Sequence, residues 1–241
     1  MTIQDSLFCT DARRFLLGLE PDSVDLILTD PPYQVSIANG DLPRKEASPL
    51  KRDFGRWDKE PLDCEGFAAG AAHCLRDGGS VLVFCGDHLM WEVEYALRRN
   101  GIAFYMLLYW LKSNPPPKVR PGYLSEVEPV IWAFKVGENA ATRPTFNGRG
   151  GYHRKVLQYP IVPAGQRWHP TQKPVEMLRE LVMTHSNEGD LVVDPYCGSG
   201  STLVAAAELG RRYAGCDADP DWTTCASNRL MATTPPLPGT I

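Results

Sequence analysis

Leu191-Val192-Val193-Asp194-Pro195-Tyr196-Cys197-Gly198-Ser199-Gly200-Ser201-Thr202 passes from an apolar run through a glycine-rich turn into a helical pattern. Glycines let backbone N–H groups approach a ligand closely, and a helix N-terminus favours a carboxylate or phosphate. The next apolar run ends at Asp217, whose carboxylate can accept hydrogen bonds from ribose hydroxyls. The stretch predicts a nucleoside site, for a dinucleotide or for S-adenosylmethionine. A tight turn that only packs a helix on a strand is the alternative, and the lack of a lysine after Gly200 excludes a Walker phosphate loop.

Apolar runs alternate with helical patterns over most of the chain. Strands are predicted at residues 6–9, 24–29, 80–85, 103–111, 129–135, 191–194 and 213–216, and helices at residues 62–76, 88–99, 174–185, 201–209 and 221–231. This alternation is typical of a doubly wound, mostly parallel sheet with helices on both faces. Residues 103–135 hold two strands joined by proline-rich sequence without a helix, which predicts an antiparallel edge pair. The 241 residues therefore predict one α/β domain with a seven-stranded sheet.

A second motif, Asp30-Pro31-Pro32-Tyr33, follows the apolar run at residues 24–29. It therefore lies at the carboxyl end of a predicted strand, where open α/β sheets bind their ligands. The prolines fix φ and remove two N–H donors, so the motif offers a carboxylate, carbonyl acceptors and an aromatic ring. These groups suit a planar amino group on a nucleobase. An ordinary strand-ending turn is the other interpretation.

Charge is distributed unevenly along the chain, whose formal net charge is −4. Between Lys112 and Lys173, ten basic and three acidic residues give +7, which leaves −11 for the rest. Residues 139–175 contain no acidic residue. The asymmetry predicts a basic face directed at a polyanion. A solvated loop region that has few acids by chance is the alternative.

The cysteines and the hydropathy of the chain indicate the cellular compartment in which the protein is expected. The seven cysteines are odd in number and include no CxxC pair, which predicts free thiols in a reducing cytoplasm and no zinc or other metal site. The first residues are polar, and no run approaches about 18 apolar residues. Neither a signal peptide nor a membrane span is therefore expected.

The motifs, taken in order, resemble one family. An early DPPY, a basic middle and a late glycine-rich loop resemble the circularly permuted (beta-class) amino-methylating DNA methyltransferases, over about residues 6–230. Further segments that resemble this family are Trp110-Leu111-Lys112-Ser113-Asn114-Pro115, Glu128-Pro129-Val130-Ile131-Trp132-Ala133-Phe134 and His169-Pro170-Thr171-Gln172-Lys173-Pro174. The chain departs from the family at Tyr196, where Phe is usual, and at Ser201, where Thr is common. The resemblance implies a Rossmann-like fold, S-adenosylmethionine as cofactor and residence in the cytoplasm of a bacterial, phage or prophage-bearing cell.

The resemblance also implies roles for individual residues. The target base would be held by Asp30, Pro31, Pro32 and Tyr33. The adenine of the cofactor would be bordered by Asp11 and Ala12, and its ribose would be held by Asp217 beside Ala218. The remaining cofactor contacts implied are Asp30, His169, Gln172, Lys173, Pro174, Asp194, Tyr196, Cys197, Gly198, Ser199, Gly200 and Ser201.

The implied reaction is direct methyl transfer to an exocyclic amine of a base that has left the duplex. Methylation at cytosine C5 needs a nucleophilic thiolate, usually in a Pro-Cys dipeptide, and this chain has none. By resemblance, Asp30 favours adenine N6, whereas Ser at that position is more usual for cytosine N4. Open alternatives are a cytosine-N4 enzyme, an RNA base methyltransferase and an inactive DNA-binding module, with a nicotinamide oxidoreductase ranked last.

Double-stranded DNA is the expected partner, with a homodimer and a separate restriction nuclease left open. Residues 136–168 are predicted as a short target-recognition region, assisted by the polar loop at residues 34–58. Residues 1–135 would form the catalytic half, residues 169–232 the cofactor-binding half of the same domain, and residues 233–241 a tail. Candidate DNA contacts are Lys112, Asn114, Lys118, Arg120, Arg149, Arg154, Lys155 and Arg167.

Overall fold

The computed structural model describes residues 5–32, 61–116, 122–139, 141–148 and 151–233. Its strands are β1 Ser6–Cys9, β2 Val24–Thr29, β3 Leu75–Phe84, β4 Ile102–Lys112, β5 Val127–Lys135, β6 Val156–Tyr159, β7 Leu191–Asp194 and β8 Arg212–Asp217. Its α-helices are α1 Ala12–Gly18, α2 Cys64–Cys74, α3 Met90–Arg99, α4 Val175–His185, α5 Ser201–Glu208 and α6 Pro220–Ala232. In these ranges the strands form one mixed sheet in the order β1-β8-β7-β2-β3-β5-β4-β6.

Helices cover both faces of the sheet, because successive side chains of a strand point to opposite sides. In β3, Val81 and Val83 pack on one face with residues of α1, α2 and α3. Leu82 and Phe84 pack on the other face with residues of α4 and α5. Both faces of the central strands are therefore buried, which explains their nearly continuous apolar sequences. The predicted doubly wound α/β fold is confirmed.

The prediction of seven strands with an antiparallel pair at the edge is wrong in two respects. The described part of the chain has eight strands, since β6 pairs in parallel with β4 from Tyr109 and Val156 onward. β5 lies between β3 and β4 and runs antiparallel to both, so β6 and not this pair forms the edge. The four residues of β6 lie in a Gly-, Pro- and Arg-rich stretch whose sequence shows no strand pattern. Pairing with β4 creates the strand, and the Trp110 indole supports it by donating a 2.9 Å hydrogen bond to the Tyr159 carbonyl.

Two further elements differ from the sequence pattern. β3 starts at Leu75, within the predicted helix, and continues through Gly78, which has φ +74°. The glycine accommodates an irregular start of the strand, where the pairing of β2 with β3 shifts register. α1 was not predicted. Asp11 caps it by accepting a 2.8 Å hydrogen bond from the Arg14 amide, and Phe15 is among the residues it buries.

Candidate active site

The strands that precede the two motifs are direct neighbours. β2, which leads into Asp30, pairs in parallel with β7, which leads into the glycine-rich loop, and Ile27 lies opposite Val193. Parallel neighbours end at the same edge of a sheet. The Thr29 hydroxyl donates a 2.6 Å hydrogen bond to Asp194 Oδ1. The residue that directly precedes the Asp30 motif thus contacts the glycine-rich stretch across 165 residues of sequence.

Backbone hydrogen bonds hold the glycine-rich loop in shape. The Cys197 amide donates to the Cys216 carbonyl at 2.9 Å, and the Gly200 amide donates to the Cys197 carbonyl at 2.7 Å. Gly200 is the N-cap of α5 and has φ +78°, a conformation that L residues adopt at a cost. A Cβ on it would lie 2.9 Å from the Ala226 side chain. Gly200 thus permits both the turn and the close packing of α5 on α6.

Asp194 is an enclosed carboxylate under this loop. It is 3% exposed, and burial raises its pKa to about 6 although the hydroxyls of Thr29 and Thr202 oppose the rise. Its Oδ1 also accepts from the Tyr196 amide at 3.1 Å. The carboxylate therefore orders the turn between β7 and the loop.

Asp217, at the end of β8, faces the same loop. Its carboxylate accepts hydrogen bonds from the Gly198 amide at 3.0 Å and from the Asp219 amide at 2.9 Å. Burial raises the pKa of this carboxyl, while the two amides favour the charged form. The contacts fix the orientation of the Asp217 carboxylate beside the loop.

The segment before α4 lies across the loop. The His169 ring meets the Trp222 ring edge-on, with centroids 4.2 Å apart, and lies close to Gly198. Burial and the nearby Lys173 ammonium lower the pKa of His169 to about 4, so the ring is neutral at pH 7. The Gln172 side chain accepts a 2.7 Å hydrogen bond from the Trp168 amide, which stabilises the turn of this segment.

Four side chains of alternating charge form what we call the ion chain: Asp30, Lys173, Glu128 and Lys112. The Lys173 ammonium contacts the Asp30 carboxylate and lies 2.9 Å from Glu128 Oε1, while Lys112 Nζ lies 3.0 Å from Glu128 Oε2. Burial alone would raise the pKa of Glu128, but the two ammonium groups outweigh it and hold the pKa below its ordinary value. The ion chain links the end of β2 to β5 and β4.

The two motifs and the segment before α4 surround a cavity of about 1280 Å³. It exceeds the roughly 300–1,000 Å³ of a typical small-molecule site, and so has volume for a cofactor and a second planar group. The predicted residues that line it are Asp11, Ala12, Asp30, Pro31, Pro32, Lys112, Arg167, His169, Gln172, Lys173, Asp194, Tyr196, Cys197, Gly198, Ser199, Ser201, Asp217 and Ala218. The lining does not include Pro174, which caps α4, or Gly200, which caps α5.

Some predicted residues lie elsewhere. Asn114 binds the backbone of Ile161 through both its carbonyl and its amide, at 2.6 and 3.3 Å. Arg154 and Lys155 are exposed at the start of β6, away from the cavity lining. The predicted residues that lie outside the described ranges are Tyr33, Lys118, Arg120, Arg149 and the loop at residues 34–58.

The sequence did not single out Glu128, Trp110 or Trp222 as site residues, although all three line the cavity. Glu128 carried two usable signals, since it is among the few acidic residues of a basic region and opens a segment that resembles the family. Trp110 opens a segment that resembles the family, although no role was attached to it, and Trp222 carried no signal, because its sequence neighbours are ordinary helix residues.

The cysteines, the metal-binding side chains and the lengths of the helices bear on other kinds of function. All seven cysteines are free thiols, and burial raises the pKa of Cys197 well above its ordinary value, which disfavours the thiolate. Within the described ranges, the His, Cys, Asp and Glu side chains form no cluster suited to a metal ion. None of the helices described there combines the length and the apolar character needed to cross a bilayer.

Comparison with known proteins identifies the family. Residues 24–227 match the DNA methylase family N6_N4_Mtase, a range that includes both motifs and the ion chain. The chain belongs to the N6/N4 DNA methylase family. As such it is a DNA methyltransferase that uses S-adenosylmethionine, and the loop between β7 and α5 with Asp217 fits that cofactor.

Relatives of this DNA methylase match it along most of their length. The type II methyltransferase M2.DpnII of Streptococcus pneumoniae is 30% identical over 238 residues, which cover 92% of this chain and 88% of the relative. The type II methyltransferase M2.LlaDCHI of Lactococcus lactis subsp. cremoris is 30% identical over 236 residues, with 91% and 87% covered.

Two solved structures share the fold of this DNA methylase. That of M1.HpyAVI in complex with S-adenosylmethionine has a TM-score of 0.69 and 25% identity, with 93% of this chain and 98% of that one covered. That of PvuII DNA methyltransferase, which is cytosine-N4-specific, has a TM-score of 0.70 and 18% identity, with 100% and 89% covered. At that identity the second likeness concerns the fold alone.

Proposed function

We propose that the protein is a site-specific DNA methyltransferase that transfers a methyl group from S-adenosylmethionine to adenine N6 in duplex DNA. The observation that carries the proposal is the contact between the ends of β2 and β7. It brings the carboxylate of Asp30 and the glycine-rich loop to one cavity. A methyl donor in the loop and an amine at Asp30 would then be adjacent.

In the proposed reaction, the target base leaves the duplex, at a cost of roughly a few kcal/mol. Stacking on Tyr33 would return about 1–3 kcal/mol. Asp30 and the Pro31 carbonyl accept hydrogen bonds from the exocyclic amine and direct its lone pair at the methyl carbon. The N–C bond forms as the C–S bond breaks, the electrons of that bond stay on sulfur, and the methylated nitrogen releases one proton to water. Positioning supplies much of the rate.

The cofactor is proposed to lie along the loop between β7 and α5. Asp217 holds its ribose hydroxyls, and Asp11 with Ala12 borders its adenine. Asp194 and Tyr196 shape the turn around the methionine portion. The segment with His169 and Gln172 covers that portion from the other side. Support comes from the position of all these residues on the cavity wall.

Adenine is preferred over cytosine because residue 30 is Asp, whereas Ser is the more usual residue in cytosine-N4 enzymes of this type. The fold itself does not favour adenine, since PvuII DNA methyltransferase, which shares it, is cytosine-N4-specific. Nucleoside analysis of DNA treated with the purified protein tests the assignment. We expect N6-methyladenine, and its loss in Asp30→Ala while S-adenosylmethionine still binds. N4-methylcytosine as the sole product would contradict it.

DNA recognition is assigned to residues 136–168 together with the loop at residues 34–58. Arg154 and Lys155 would contact phosphates, and Arg167 would act at the mouth of the cavity. The remainder would divide into a catalytic half up to residue 135 and a cofactor-binding half from residue 169. The region is short for a recognition domain, which favours a short site or a contribution from a second subunit.

The type II relatives suggest a place in a restriction–modification system, with a separate nuclease that cuts the same site. Methylation-sensitive sequencing of DNA from cells expressing the chain would reveal the site. We expect nearly complete methylation at one short sequence. Scattered methylation without a common sequence would contradict site specificity.

A further inference from the structure

The ion chain contains a largely buried carboxylate, that of Glu128, to which the proposed reaction gives no role. The Glu128 carboxylate lies between the two lysines of the chain, within hydrogen-bond distance of each ammonium. We propose that Glu128 is a positioning residue for methyl transfer: it holds the Lys173 ammonium and, through it, the carboxylate of Asp30. The inference rests on the proposed placement of the target amine at Asp30.

The geometry leaves Glu128 little freedom. Each of its carboxylate oxygens faces one ammonium, Oε1 at 2.9 Å from Lys173 and Oε2 at 3.0 Å from Lys112. Rotation of the carboxylate would break at least one of these contacts. Because Glu128 is on β5, within the sheet, it provides a rigid reference for the Lys173 side chain.

The surroundings keep water away from the ion chain. The side chains of Lys173 and Glu128 are 7% and 13% exposed. The Lys173 ammonium lies 5.1 Å from the ring centroid of Phe84 and 5.8 Å from that of Trp110. Such low exposure strengthens the charge interactions and makes an unpaired charge costly.

Stability alone does not account for this arrangement. Buried ion pairs often contribute no more than apolar residues of the same volume, whereas removal of one partner is costly. Burial alone would lower the pKa of Lys173, but the carboxylates of Asp30 and Glu128 outweigh it and raise the pKa. Lys173 therefore stays charged while its ammonium contacts Asp30, the carboxylate that is proposed to hold the target base.

Glu128 divides the ammonium of Lys173 between two carboxylates. With Glu128 neutral, the Lys173 ammonium would lose one of its two carboxylate contacts and interact more strongly with Asp30, whose carboxylate would become a weaker acceptor for the target amine. Without the contact to Glu128, the Lys173 ammonium would also change position, and the Asp30 carboxylate that it contacts would move with it. A misplacement of about 1 Å can cost on the order of 100-fold in rate. The hydrogen bonds that hold the cofactor loop through Asp194 and Asp217 involve other residues, so cofactor binding should be retained.

The test uses the full chain, unmethylated genomic DNA and S-adenosylmethionine with a tritiated methyl group. We expect Glu128→Gln to lower the single-turnover rate of methyl transfer by at least about 10-fold. Its Kd for S-adenosylmethionine, from calorimetry without DNA, should stay within about 3-fold of the original. Glu176→Gln removes an equal charge at an exposed pair with Arg179 and should change neither value.

A second variant guards against misfolding. Lys112→Met with Glu128→Gln removes one charge of each sign, so no lone charge is created in that pair. This double variant should melt close to the original chain and still transfer methyl slowly. An original rate in either folded variant, or a loss of cofactor binding as large as the loss of rate, would overturn the inference. The assay counts methyl groups on any base, so a wrong adenine assignment would leave this result intact.

Discussion

The Thr29 hydroxyl donates a 2.6 Å hydrogen bond to the Asp194 carboxylate, across 165 residues of sequence. Both residues are almost fully buried, at 1% and 3% exposure. Thr29 is the last residue of β2 and is followed by the Asp30 motif. Asp194 is the last residue of β7 and is followed by the glycine-rich loop. This contact joins the proposed base-holding half of the site to the cofactor half.

Removal of the hydroxyl should weaken both folding and the loop. Thr29→Val keeps the shape but leaves the buried carboxylate with one donor fewer, at a cost of about 1–3 kcal/mol in the free energy of unfolding. Urea unfolding followed by circular dichroism measures the cost. Thr29→Ser, which keeps the hydroxyl, should lose less. If the Thr29→Val and Thr29→Ser variants were equally stable, the hydrogen bond would contribute little to the free energy of unfolding.

Asp194 should make stability fall as pH rises. Burial raises the pKa of this carboxyl from 3.8 to about 6, so between these values the native protein binds more protons than the unfolded chain. The free energy of unfolding therefore decreases from about pH 4 to pH 6 and is level above it. Asp194→Asn should lack this component. Urea unfolding of both proteins between pH 4.5 and 7.5 gives the difference, and parallel curves would contradict the prediction.

Gly200 should tolerate no side chain. Gly200→Ala would combine a positive φ of 78° with a Cβ 2.9 Å from the Ala226 Cβ. We expect a loss of about 1–3 kcal/mol from strain, with further loss from the clash, and weaker binding of S-adenosylmethionine. Gly101→Ala is the matched control, because its φ is +81° and nothing lies within 4 Å of the added Cβ. Equal losses in stability at the two positions would show that packing on α6 is unimportant.

Arg154 and Lys155 should contribute to DNA affinity through phosphate contacts. If both contact phosphates, Arg154→Ala with Lys155→Ala should reduce the slope of log affinity against log salt by about 1.8. Fluorescence anisotropy with labelled duplex DNA, measured at salt concentrations from about 50 to about 300 mM, gives the slope. Arg98→Ala with Arg99→Ala, two exposed residues of α3, removes the same charge. An unchanged slope in the first variant would exclude these two residues from the interface.

Much of the fold could be predicted because its signals are local. β1, β2 and β7 have the predicted bounds, since each is a short apolar run between polar turns. Most helices begin or end within two residues of their predicted limits for the same reason. β6 was missed because its residues become a strand only through pairing with β4, a contact that no local pattern encodes.

The candidate site divides in the same way. The sequence by itself determined the chemistry available at the two motifs, because Asp30, Asp194, Asp217 and the glycines are each recognisable from their strand-ending positions. Only the tertiary structure decided that β2 is the neighbour of β7 and that Glu128 meets Lys173 and Lys112. Strand order and ion pairing depend on which distant surfaces are buried together, and that is a property of the whole packed chain.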